Sequence, residues 1–151
     1  MRYFRRALSK HTDELRADTV NLFRKLGVAE DQARICRTLA RLGRPDAPEA
    51  CRQTTTFVGA IKAEPEHAFP RAFIAAAWTN VGDAYEIIGT RPTVSAADRN
   101  AYRAAAVDSH RRSLEIWSDL KARGLVSPVD TGLVTAAERA VAHAEVLARA
   151  P

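Results

Sequence analysis

The sequence predicts an all-α fold of about six helices, folded as a single domain over residues 1–151. Through most of the chain apolar residues recur at three- and four-residue spacing, the period of a helix with one buried face. No stretch alternates strictly between apolar and polar residues with strand-bounding turns. Gly or Pro punctuates "LGVAED" (26–31), "LGRPDAP" (42–48), "EPEHAFP" (64–70), "GTRPTVS" (89–95) and "RGLVSPVD" (123–130), cutting the periodic segments apart.

Each element follows from its own pattern. The first helix is expected over 2–25, with His11 as a candidate break and Tyr3, Phe4, Leu8, Leu15, Leu22, Phe23 and Leu26 on its apolar stripes. The second, 30–43, turns Ile35, Cys36, Leu39 and Leu42 to one face, and Gly43 is its stop. The third, 47–63, turns Ala50, Thr54, Phe57, Val58 and Ile61 inward. The fourth runs over 68–89 and ends at Gly89. In the fifth, 96–123, Ala106, His110, Leu114, Trp117 and Leu120 share a side, and Ser95 with Asp98 three residues on forms its start signal. The sixth, 131–149, carries Leu133, Ala137, Ala140, Val141, Ala144 and Leu147.

A hydrophobic content of 46% and a charged content of 27% are ordinary for a folded chain and exclude disorder. No apolar run approaches the ~18 residues needed to cross a bilayer, so no membrane insertion is expected. The basic start "MRYFRRALSKH" has no apolar signal region, and Asp13 and Glu14 follow it closely, so it reads as a surface helix and the protein as cytoplasmic. Cys36 and Cys51 lie at no zinc spacing and are expected as buried reduced thiols; a disulfide would require their helices to be antiparallel neighbours.

Helices of this length with short connections form antiparallel pairs. Each pair has too little apolar face to stand alone, so pair must stack on pair, as in an α-solenoid. In the fourth helix Trp78, Val81, Gly82 and Tyr85 match W-x2-[L/V]-G-x2-Y. This resembles the first-helix signature of the tetratricopeptide repeat, with Val for the commoner Leu. The resemblance explains why a helix keeps Gly82, since the partner helix backbone would approach there. Ala106, His110, Leu114 and Trp117 fall in the register of the second helix, with His110 in place of an aromatic. Trp78 and Ala106 are 28 residues apart, too far for a repeat of about 34 residues, so an enlarged turn or lengthened helices are expected between 89 and 102. A degenerate earlier copy aligns Gln32, Ile35, Cys36 and Leu39 with Trp78, Val81, Gly82 and Tyr85. The expected pairs are therefore 30–63 and 68–123, with 131–149 as a cap. Residues 2–25 would be the other cap, or an apolar edge for self-association into a homo-oligomer. Residues 64–130 also resemble repeats in the C-terminal regions of bacterial serine/threonine kinases and adenylate cyclases, which implies a regulatory piece of a signalling protein.

What the resemblance implies about function is non-catalytic binding of a peptide or partner helix on the concave face lined by first helices. By register that face takes Glu30, Ala33, Arg34, Arg37 and Arg41 from one helix and Thr79, Asn80, Asp83, Glu86 and Ile87 from the other. It would be basic toward the N-terminus and acidic around Asp83 and Glu86, suiting a ligand of mixed charge. The Lys/Asn constellation that clamps a peptide carboxylate in some members is not reproduced, since Ala33 stands at the Lys position.

Catalysis finds no motif to rest on. Asp108, Ser109 and His110 are adjacent, so their side chains point about 100° apart on a helix and cannot relay a proton among themselves. Asp83 and Glu86 share a face but read as groove lining, and no metal or cofactor is expected. The net charge of +5 has one source: residues 1–44 hold 11 Lys/Arg against 5 Asp/Glu. That excess makes a nucleic-acid-binding adaptor the alternative reading, although Tyr3, Phe4 and Phe23, the available stacking aromatics, sit on apolar stripes.

Overall fold

The computed structural model describes residues 2–150, with side chains from residue 5 onward; the predicted apolar positions Tyr3 and Phe4 lie outside the described side chains. Six α-helices and one short 3-10 turn are present, and no strand among the described residues. The helices are α1 (Arg2–Ala17), α2 (Leu22–Arg41), α3 (Ala47–Ala60), α4 (Ala68–Gly89), α5 (Ala96–Ala122) and α6 (Thr131–Arg149), with the 3-10 turn at Pro128–Asp130.

The last four helices begin and end within a few residues of where the sequence places them. Ser95 caps α5 as expected, accepting a hydrogen bond from the Asp98 amide at 3.1 Å. Gly43 (φ +70°) ends α2: the Arg44 amide reaches back to the Leu39 carbonyl at 3.0 Å, a closure that needs a left-handed residue. Between α4 and α5 lie a six-residue turn and then a 27-residue helix, so both the turn and the lengthened helix that the wide Trp78–Ala106 spacing calls for are present.

The first boundary differs. The break falls at 18–21, not 26–31, and "LGVAED" is continuous helix. The stop lacks Gly and Pro; Asn21 makes it by accepting from the Arg24 amide at 3.2 Å. Leu26, Val28, Ala29 and Asp31 are buried, and this tertiary burial overrides the local signal of Gly27. α1 folds back on α2: the Arg24 side chain donates to the Glu14 carbonyl, and the His11 ring lies on Gly27.

α2 packs on α3 and on α4, α4 on α5, and α6 on α5, with a smaller contact from α6 to α4. Pairing partners run in opposite directions along α4 and α5: Arg71 meets Asp119, Thr79 meets Ser113, Gly82 meets His110 and Gly89 meets Arg103. The core that results joins Trp78, Val81, Tyr85 and Ile88 of α4 to Cys36 and Leu39 of α2 and Val58 of α3. A smaller one joins Ala75, Trp117, Leu120, Val134 and Ala137 under α6. Three residues expected inside are outside: Phe23 (65% exposed), Leu42 and Leu133. Leu42 lies beyond the last turn of α2, and the shifted start of that helix turns Phe23 outward.

Cys36 and Cys51 correct a second expectation. They form a disulfide across the α2–α3 hairpin, Cα to Cα 5.0 Å, because the helices are the antiparallel neighbours that such a bond requires. Gly82 sharpens a third. A Cβ there would fall 2.6–2.7 Å from three atoms of the His110 ring, so the object pressing on α4 is an imidazole rather than helix backbone. At Gly89 the opposite holds: its would-be Cβ meets the Arg103 amide and the Arg99 carbonyl at 3.4 Å, so Gly89 admits the α5 backbone.

Candidate functional site

α2 and α4 lie side by side and present two adjoining cavities. One, of about 220 Å³, is walled by Ala72, Phe73, Ala76 and Ala77 of α4, with Trp117 and Leu133 behind and Glu30 and Arg34 at its edge. The other, of about 480 Å³, is polar and lined by Arg34, Arg37, Thr38, Arg41 and Asn80. Arg34 and Asn80 border both, so the two form one continuous groove.

The arginines fall on one stripe because three- and four-residue spacing returns to one helix face. Their states differ. Arg37 is pinned, with Nη2 2.8 Å from Asp83 Oδ2 and Nη1 donating to Asn80 Oδ1 at 3.1 Å. Arg34 pairs with Glu30 on its own helix, and Arg41 has no ion-pair partner among the described residues. Burial pushes the Asp83 carboxyl above its ordinary pKa, and Arg37 and then His110 work against that rise.

The predicted concave face divides. Arg34, Arg37, Arg41, Asn80 and Asp83 come together at the groove. Thr79 faces α5, its hydroxyl 2.9 Å from Ser113 Oγ. Glu86 also turns that way, with Oε1 3.2 Å from His110 Nε2 and Oε2 3.9 Å from His143 Nε2. Ala33 is buried and Ile87 packs against the core. The acidic end expected around Asp83 and Glu86 does not form at the groove, since Asp83 is paired with Arg37 and Glu86 is turned toward His110 and His143; the acids at the groove are Glu30 and Asp130.

Sequence reasoning missed the apolar half of the groove. Phe69 and Phe73, four apart at the start of α4, carry the signal that could have found it. Their rings pack at 4.6 Å, and Phe23 of α2 continues the row at 6.1 Å from Phe69. Phe69 is 57% exposed, so this row is an open apolar strip leading into the cavity.

Asp108, Ser109 and His110 go separate ways: Asp108 pairs with Arg112, the Ser109 hydroxyl donates to the Ala105 carbonyl, and His110 is buried on Gly82. No group of three or more metal-ligating side chains converges among the described residues. Three N-terminal cations pair with acids of their own segment, Lys10 with Glu14, Arg16 with Asp13 and Arg24 with Asp18, which leaves the basic excess of that segment in place. No described helix is long and apolar enough to cross a membrane. Compared with known proteins, the chain matches no family model, no curated protein and no solved structure.

Proposed function

We propose that this chain is a non-catalytic interaction module, built of tetratricopeptide-like helix pairs, that takes up a peptide or partner helix along the α2–α4 groove. One observation carries the reading: an apolar cavity, a row of exposed aromatic rings and a cluster of arginines share one concave strip between two first helices. Buried apolar anchors with a polar rim are what polypeptide recognition requires. The packing order, α2 with α3, α4 with α5 and α2 beside α4, supports the repeat reading. Within the same proposal the module is a regulatory region of a bacterial signalling protein and works in the cytoplasm. The Cys36–Cys51 bond bears on the compartment, because such bonds persist mainly in oxidising surroundings. Trapping free thiols in intact cells decides it: a bond oxidised throughout would sink the cytoplasmic assignment.

Ala76 is exposed at the cavity wall, so Ala76→Trp fills the mouth without entering the core. Peptides selected from a random display library against the full chain should lose affinity for this variant. A library that yields no binder, or binders indifferent to Ala76→Trp, refutes the proposal.

A further inference from the structure

We infer that the groove's partner is an acidic peptide that seats one apolar side chain in the Phe73–Trp117–Leu133 cavity and a carboxylate against Arg41. This rests on the interaction-module reading and adds the chemistry of the ligand.

The polar cavity takes an anion because no carboxylate lines it. Asp83 borders it from α4 but is already matched by Arg37. Arg37 in turn is committed to Asp83 and Asn80, and the Thr38 hydroxyl to the Arg34 carbonyl. What remains for a ligand is Arg41, which forms no ion pair with a described acid and acts only at longer range on the Arg37-bound Asp83, and the outer donors of Arg34. An arginine fork with free donors at a partly enclosed surface is matched best by a carboxylate or a phosphate.

The apolar cavity lies beside Arg34, seven residues before Arg41 on the same helix. At 1.5 Å per residue the separation is about 10 Å. A ligand that fills both subsites therefore needs about three residues from apolar anchor to acid if extended. An extended segment also meets the exposed Phe23 and Phe69 rings beyond the cavity wall at Phe73, where further apolar residues of the partner would lie.

The test uses an alanine-rich peptide carrying one Leu and, about three residues on, a run of Glu. Its companions have Lys for the Glu run or Ser for the Leu. Binding to the full chain is read by fluorescence anisotropy, with Ala76→Trp and Arg41→Glu as variants; Arg41 is exposed, and circular dichroism confirms that the variant folds. The acidic Leu peptide should bind, weaken as salt rises, and lose about tenfold with Arg41→Glu, a normal size for one charged contact. The Lys peptide should bind Arg41→Glu better than it binds the unmodified chain. If the Lys peptide binds the unmodified chain equally well and Ala76→Trp still blocks it, the acidic specificity fails and the module reading stands. If no peptide responds to Ala76→Trp, both fail. An RNA oligonucleotide that displaces the acidic peptide more strongly than unlabelled peptide would also overturn the inference.

Discussion

Replacing Gly82 with Ala should destabilise this protein, although Ala is the better helix former. In isolation the exchange favours the helix by about 1 kcal/mol. Here the new methyl would sit 2.6 Å from His110 Cε1 and 2.7 Å from both ring nitrogens. To regain ordinary contact the ring must retreat by about 1 Å. It has little room, being 1% exposed and held between α4 and α5, with Glu86 at 3.2 Å from Nε2. Overpacking of this kind costs about 1–3 kcal/mol, and the shifted ring also weakens its contact with Glu86. The net expectation is a loss of about 1–2 kcal/mol, a fall of about 2–8 °C in melting temperature for a chain of this length. The decisive measurement is a double-mutant cycle by thermal and urea unfolding. In a His110→Ala background the obstacle is gone, so Gly82→Ala should reverse sign and stabilise by up to about 1 kcal/mol. Additive effects, or a more stable single variant, would refute the view that His110 is what requires Gly82.

The same cycle at the other imidazole should give a weaker answer. A Cβ at Gly27 meets the His11 ring at 3.2 Å, and His11 is only part-buried, so Gly27→Ala should change the melting temperature much less than Gly82→Ala. Reduction of Cys36–Cys51, or the Cys36→Ala/Cys51→Ala double variant, reopens a 15-residue loop and should cost about 3 kcal/mol, or about 6–12 °C, in melts run with and without reductant. Thiol titration of the oxidised protein should find neither sulfur free. Arg37→Met removes the largest influence opposing the rise of the Asp83 pKa, so that pKa should climb further. A raised carboxyl pKa means the folded state binds the proton more tightly than the unfolded state. The variant should therefore lose stability at neutral pH and regain part of it as pH falls through the folded pKa toward the unfolded one. An NMR titration of the Asp83 carboxyl that matches the unmodified protein would contradict this.

The two glycine–histidine contacts also show where legibility ended. Gly27 and Gly82 each underlie a histidine ring from the neighbouring helix, and each histidine brings a nitrogen near an acid four residues past the glycine: His11 Nδ1 hydrogen-bonds Asp31 Oδ2 at 2.8 Å, whereas His110 Nε2 lies 3.2 Å from Glu86 Oε1 without hydrogen-bond geometry. Gly82 was readable as a packing position because aromatics flank it at signature spacing. Gly27 has no such flank and imitates a helix break. Glu86 and Thr79 fall in the groove-facing register on α4, yet the width of the α5 contact draws both away. The arginine stripe was legible because one helix builds it, whereas the apolar cavity draws walls from α4, α5 and α6.

The sequence by itself determined the helical class, four of the six helices to within about three residues, the cap at Ser95, the stop at Gly43 and the arginine face of α2. These depend on local periodicity and on caps made within one turn of chain. Tertiary structure alone decided that Gly27 stays helical, that Cys36 meets Cys51, that His110 is what Gly82 accommodates, and that Phe73, Trp117 and Leu133 enclose one cavity. Each of those depends on which side chains arrive from a distant segment. Contact across an interface is set by how helices pack, and helix periodicity carries only the direction in which each side chain leaves its own axis.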